Sequence, residues 1–458
     1  MRDILFLSVM LTMVPLALRF PVVGVMGWAW TALLSPNDWL YSYMSVVPFN
    51  KLFAGATLIA MALSARQLRF RMSPALWLLV CSLVVGTISA VFAIDQGDPG
   101  WRLYWQFVKI ITFAFVISAV VRTRLDIHAL LLAVALGMGF VGLSEGLFYL
   151  VSGGGHKIIG NPSVGDNNQL AVALLMVLPV VLYLARQAEV RLVKLVGYAA
   201  AACILTAIIG TFSRGGLVGL VALAGFMVAG SRRKLAGFMI IVIMGLVVVL
   251  VAPDTWYHRM DTITDASQDG SFMGRVVAWK ISTMIALARP LFGGGFHAVQ
   301  HAFAWDYYGS SMAMLDFIPT PPPTSFPRAA HSIYFETLGD LGFIGLSLFL
   351  ALMLLIYRNA RAVRRLARNR PELSWAADLG FTLQASLVGY MVAGAAVSVS
   401  YVDFFYILVA LSVVLRGLVV AEARSPVPAA RAPMRAGAAG LRPIGSPALR
   451  WGAPPEAR

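Results

Sequence analysis

The chain has 458 residues, 59% hydrophobic and only 12% charged, which is more apolar surface than a water-soluble globule or a disordered chain can carry. Lysine and arginine number 36 against 21 acidic residues, and the resulting net charge of +15 points to nucleic acid in a soluble protein but to loop topology in a membrane protein. Cys81 and Cys203 both lie inside apolar runs, where they predict neither a disulfide nor a metal cage.

A membrane-crossing helix needs roughly 20 mostly apolar residues, because lipid offers the backbone no hydrogen-bond partner. Residues 4–34 are apolar but broken by Arg19 and Pro21, as one kinked span or as a hairpin of two short ones. In this first segment Arg2 is offset by Asp3 and no small-residue cleavage site follows, unlike a signal peptide. Further runs follow at about 46–63, 75–93, 104–121, 129–151, 168–185, 192–210, 215–229, 235–252, 336–357, 377–397 and 402–421. The predicted fold is all-α, a polytopic transmembrane bundle of about 12 or 13 spans, with parity leaving the side of the N-terminus open. The sequence contains neither a repeat of fixed period nor an inverted pair of broken helices.

Short loops that carry Lys and Arg stay in the cytoplasm. Arg66, Arg69 and Arg71 share one loop; Arg122 and Arg124, then Arg186, Arg191 and Lys194, then Arg232, Arg233 and Lys234, and finally Arg358 to Arg370 follow in every second loop. The intervening loops are therefore expected outside, including a long, nearly neutral segment at about 253–330. Because the basic excess is mostly internal, nucleic acid loses its support as a partner. The expected divisions are an N-terminal bundle at 1–252, a large periplasmic loop at 253–330, C-terminal membrane helices at 331–421 and a Pro-, Ala- and Arg-rich disordered cytoplasmic tail at 422–458.

The unusual residues fall on the external side. Arg214 sits in the turn Gly210-Thr211-Phe212-Ser213-Arg214-Gly215-Gly216, either snorkelling to headgroups or, beside glycines that permit close approach, offering phosphate a planar fork. Lys109 and Glu145 lie at similar depth, either lining an outward vestibule or forming a structural ion pair. The polar stretch Gly153 to Asn168, with His156, Lys157, Asp166, Asn167 and Asn168, suits recognition of a sugar or headgroup and equally an ordinary surface loop. Arg275, with Trp279 in an amphipathic helix, is a second anion clamp; Lys280 and Arg289 are weaker ones, and such residues are more often solvated.

Gly293-Gly294-Gly295 is flexible, and Pro319 to Pro327 form a semi-rigid spacer ending at Arg328 and His331-Ser332-Ile333-Tyr334. His331, at a helix start, has the side chain suited to proton exchange near neutral pH. Tyr334 and Leu338 follow at helical spacing and read first as packing, with Tyr334 kept among the substrate-binding candidates. Glu336 and Asp340, four apart on one face, are placed to orient His331 or pair with an arginine. HExxH, P-loop and DxD motifs are absent, and a metal-free site using arginines against a phosphate leaving group fits what remains.

In order and membrane placement, Ser213-Arg214-Gly215, Arg275 with Trp279, Gly293-Gly294-Gly295 and His331-Ser332-Ile333-Tyr334 continuing to Leu338, Gly342 and Gly345 resemble the bacterial O-antigen ligase and polymerase superfamily. Met1-Arg2-Asp3-Ile4, the Trp-rich stretch Trp28 to Tyr43 and Gly165-Asp166-Asn167-Asn168 resemble its O-glycosylation ligase branch, found with exosortase and exopolysaccharide systems. The usual His-Asn pair of the superfamily appears here as His331-Ser332. The resemblance implies a multi-pass protein of the bacterial inner membrane. It also implies metal-independent inverting transfer, without a cofactor, of a glycan from an undecaprenyl-diphosphate carrier to a hydroxyl of a protein, lipid or glycan acceptor on the periplasmic face. Arg214 and Arg275 would hold the leaving diphosphate and His331 would take the acceptor proton. A polymerase of the same superfamily, or a glycolipid flippase or exporter, are the alternatives.

Overall fold

The computed structural model of the chain describes residues 2–64, 72–161, 164–231, 234–235, 238–239 and 270–424. Most of the span expected at 235–252, the arginines at 66, 69, 71, 232 and 233, the first part of the long segment up to 269, and the tail from 425 lie outside the described residues. What is described is a helical, multi-pass membrane protein. Among the described residues, seven helical stretches are long and apolar enough to cross a bilayer.

The chain opens with α1 (Arg2–Arg19) and α2 (Pro21–Leu34), separated by extended backbone at Phe20, where Pro21 starts a new helix. The two fold back as a hairpin: Asp3 accepts a hydrogen bond from the Tyr41 amide at 3.4 Å, and the Phe6 and Trp30 rings lie 5.5 Å apart. The broken apolar stretch is therefore two short helices and not one kinked span. Then come α3 (Phe49–Leu63), α4 (Pro74–Val91), α5 (Asp98–Val120), and α6 (Arg124–Val134) joined through one π-helical segment to α7 (Phe140–Val151). After a two-residue β-pairing of Gly160–Asn161 with Gly165–Asp166, the chain continues as α8 (Asn167–Gln187), α9 (Arg191–Gly210) and α10 (Arg214–Gly230). The remaining elements are α11 (Gly270–Ala288), the short α12 (Ala302–Gly309), α13 (Ile333–Ala367), α14 (Ser374–Gly394) and α15 (Asp403–Arg424).

Helix starts follow local chemistry. Ser73 accepts from the Leu76 amide just ahead of Pro74, and Thr123 with Asp126 and Asp166 with Gln169 form capping boxes that satisfy amides no helix can satisfy itself. Long-range bonds sort the loops onto two faces. At one end His128 meets Tyr183 at 2.7 Å, Arg124 lies over the Trp375 ring, and Arg370 donates to the Ala423 carbonyl, which gathers the arginine-bearing loops. At the other end the Ile94 amide donates to Gly294, Gln106 to the Tyr401 carbonyl, and Gln169 to the Ser398 carbonyl.

Gly342 divides α13. Its φ of 68° and ψ of −169° lie where only glycine is comfortable, and the Phe343 amide beside it donates to the Pro290 carbonyl at 2.9 Å. The segment from Ile333 to Leu341 runs beside α11: Trp279 stacks on Phe335 at 5.1 Å, and Gly339 sits against Ser282. Beyond the break, Phe349 joins Tyr390 and Phe405, which stack at 4.9 Å, in the core between α13, α14 and α15. A Cβ at position 342 would lie 2.8 Å from the Gly293 nitrogen and the Pro290 oxygen. Gly342→Ala is thus expected to cost about 1–3 kcal/mol and to lower the thermal unfolding midpoint of the detergent-purified protein by several degrees; an unchanged midpoint would show that the break is not enforced.

Candidate active site

The end of the bundle opposite the arginine-bearing loops brings three helix N-termini together. Ser213 caps α10, accepting from the Gly216 amide at 3.1 Å, and donates its own hydroxyl to Asn168 Oδ1 at 2.8 Å. Asn167 donates to the Thr211 carbonyl at 2.7 Å. The start of α8 therefore holds the turn from which Arg214 projects, and Phe212 in that turn is left-handed at φ 51°. Asp166 caps α8 through the amides of Asn168 and Gln169. Asn167 and Asn168 thus hold the Arg214 turn, and Asp166 caps α8.

Arg275 reaches the same place from α11. Its Nη1 donates to the Ala396 carbonyl at 3.2 Å. Gly215 packs on that same residue, since a Cβ there would come within 3.3 Å of the Ala396 Cβ. Arg275 and the turn that carries Arg214 therefore both meet Ala396, in the loop between α14 and α15.

His331 precedes the third N-terminus, that of α13, and its φ of 44° is unusual for a residue with a side chain. Its backbone is held because Trp279 Nε1 donates to the neighbouring Ala330 carbonyl at 2.6 Å. Ser332, the α13 N-cap, buries a hydroxyl with no hydrogen-bond partner among the described residues. Burial pushes the His331 imidazole below its usual range, Arg275 and Arg328 push it further down, and Asp166 pulls it up. Those interactions put Arg275, Arg328 and Asp166 around the imidazole and leave it neutral near pH 7, the form that accepts a proton.

The other predicted residues sort differently. Glu145 pairs with His156 at 2.7 Å, while Lys109 is exposed on α5 and acts electrostatically on Asp403, so the two do not pair with each other. Arg289 donates to the Phe92 carbonyl at 2.6 Å and ties α11 to the end of α4; Lys280 is buried on Thr320 at 2.9 Å. The Tyr334 hydroxyl donates to the Met391 carbonyl at 3.0 Å, a packing bond to α14. Glu336 accepts from the Ser400 amide, and Asp340 from the Ala298 amide and the Tyr401 hydroxyl. Sequence reasoning missed the loop from Ala395 to Val402, whose only signal was a short run of small and polar residues between two apolar spans. It also left Arg328 without a role at His331.

Electrostatically the site suits an anion. A helix N-terminus contributes roughly 0.3–1 kcal/mol to a nearby negative charge, whereas a hydrogen bond from a charged donor contributes about 1.5–3 kcal/mol, so the guanidinium groups dominate. A neutral imidazole beside them can take a proton from a hydroxyl. The fold defines a multi-pass helical membrane protein. Residues 199–350 match the family model for O-antigen ligase, a region that takes in Arg214, Arg275 and His331. Residues 1–189 match a model described as a family of unknown function. No match was found among curated proteins.

A base role for His331 carries a pH dependence. Transfer activity is expected to be flat from about pH 7 upward and to fall in acid as pH drops through the lowered His331 value. Asp166→Asn removes the charge that pulls this value up and should move the acid limb lower, while Arg328→Gln should move it higher. Rate profiles of the two variants shifting in the same direction would contradict this electrostatic assignment.

Proposed function

We propose that the protein is a membrane glycan ligase that moves an oligo- or polysaccharide from an undecaprenyl-diphosphate carrier to an acceptor hydroxyl, on the periplasmic face of the bacterial inner membrane. The observation that carries this reading is the convergence of Arg275 and the Ser213–Arg214 turn on Ala396 beside His331, within the stretch that matches O-antigen ligase. Sidedness is supported by the alternation of arginine-rich loops at the opposite end of the bundle. The start of the chain and the Gly165-Asp166-Asn167-Asn168 turn favour the O-glycosylation branch.

In the proposed reaction the acceptor oxygen attacks the anomeric carbon as its proton passes to His331, and the bond from that carbon to the diphosphate oxygen breaks with inversion. The leaving undecaprenyl diphosphate gains negative charge as it departs. The Arg275 guanidinium, already held on Ala396, and that of Arg214 tighten on that charge, and so stabilise the transition state more than the ground state. Apolar helix faces would hold the polyprenyl chain.

The test is purified protein in proteoliposomes with an undecaprenyl-diphosphate-linked glycan and candidate acceptors, followed by mass analysis. A new glycosidic bond to the acceptor with release of the lipid diphosphate is expected. A lengthened lipid-linked glycan would make the protein a polymerase, and movement of unaltered substrate across the bilayer an exporter.

A further inference from the structure

Glu336 lies in the first turns of α13, five residues beyond His331, is 8% exposed, and takes no part in the chemistry above. Its Oε2 accepts from the Ser400 amide at 3.0 Å, and the Ser400 hydroxyl returns to the Ile333 carbonyl at 3.0 Å. Two bonds thus fix the loop between α14 and α15 to the helix start that carries His331. Further tethers run through the loop's carbonyls, beside the Tyr401 hydroxyl on Asp340: Ala396 takes Arg275 Nη1, Ser398 takes Gln169 Nε2 at 2.9 Å, Val399 takes the Tyr390 hydroxyl at 2.8 Å, and Tyr401 takes Gln106 Nε2 at 3.1 Å. Gln169 also accepts from the Asp166 amide, which closes the cap of α8. The loop is a cross-tie between the arginine of α11, the cap of α8 and the helix start of α13.

We propose that Glu336 is a positioning residue for Arg275, setting the distance between that guanidinium and His331 through the Ser400 amide and the Ala396 carbonyl. This rests on the ligase reading for its catalytic consequence but not for its geometry. A misplacement on the order of 1 Å at a charge-stabilising group can lower a rate about 100-fold, and a carboxylate that accepts a buried amide is suited to prevent it. The relevant property is the acceptor, so an amide side chain should serve nearly as well, whereas an apolar side chain of similar volume should not.

The experiment compares Glu336→Gln with Glu336→Met, which keeps the site filled and the chain foldable. The first readout is NMR titration of histidine-labelled full-length protein in nanodiscs, with the His331 signal assigned by its loss in His331→Ala. Arg275, Arg328 and Asp166 are the charges acting on that imidazole. Loosening Arg275 should raise the His331 midpoint toward the usual imidazole range in Glu336→Met and leave it unchanged in Glu336→Gln. The second readout is transfer from undecaprenyl-diphosphate-linked glycan, which should fall roughly 10- to 100-fold in Glu336→Met and be largely retained in Glu336→Gln. An unmoved His331 midpoint in Glu336→Met, or equal damage from both substitutions, overturns the proposal. If the wild-type protein forms no glycosidic product, the ligase reading fails while the titration still decides whether Glu336 sets Arg275.

Discussion

Arg214→Lys is expected to lower glycan transfer by about 100-fold, comparable to removing one donor from a site that stabilises developing negative charge, with the protein still inserted and folded. Lysine keeps the charge but replaces a planar fork by a point donor, so it can neutralise a diphosphate without gripping two of its oxygens. The turn around position 214 is built by backbone and by Ser213, Asn167 and Asn168, and lysine keeps the charge there, so the substitution should spare the fold. Steady-state turnover on lipid-linked glycan, beside a thermal unfolding curve, checks this. Near-normal turnover would remove Arg214 from the mechanism.

His331→Ala is expected to lower transfer by roughly 10²- to 10⁴-fold, the range for loss of a general base, while leaving affinity for the lipid-linked donor close to normal. In the proposed reaction the arginines hold the donor and the imidazole acts on the acceptor, so binding and turnover should separate. Alanine keeps the Cβ that strains a left-handed backbone, so a thermal unfolding curve accompanies the comparison and separates lost stability from lost turnover. Donor binding by fluorescence or calorimetry in nanodiscs, set against turnover, is the check. If donor binding disappears and turnover partly survives, the histidine is a clamp and the base lies elsewhere.

Much of the helical layout was legible because apolar run length and capping residues are local properties. Runs read at 168–185, 192–210 and 215–229 correspond to α8, α9 and α10 within a residue or two, and Asp166 and Ser213 mark two of those starts. What could not be read was which elements face each other. The break at Arg19 and Pro21 fitted a kink or a hairpin equally, and only the Asp3–Tyr41 and Phe6–Trp30 contacts decide it. Charge and depth alone could place Lys109 and Glu145 together, but side-chain direction sends one toward Asp403 and the other to His156.

The same division holds at the site. Arg214, Arg275 and His331 stood out because a cation in a glycine turn, a cation beside a tryptophan and an imidazole at a helix start are chemically conspicuous. The loop that joins them contributes backbone carbonyls, and carbonyls have no sequence signature. Glu336 was visible as a charge entering an apolar helix, but its partner is a backbone amide more than sixty residues away, at Ser400.

The central claim is that Arg214 and Arg275 hold one diphosphate beside His331. Cryo-electron microscopy of the His331→Ala protein in nanodiscs with an undecaprenyl-diphosphate-linked glycan tests it most directly. The account predicts diphosphate density within hydrogen-bond reach of both guanidinium groups, with the first sugar directed toward position 331. Diphosphate bound at the arginine-bearing end of the bundle, or touching only one of the two arginines, would contradict it.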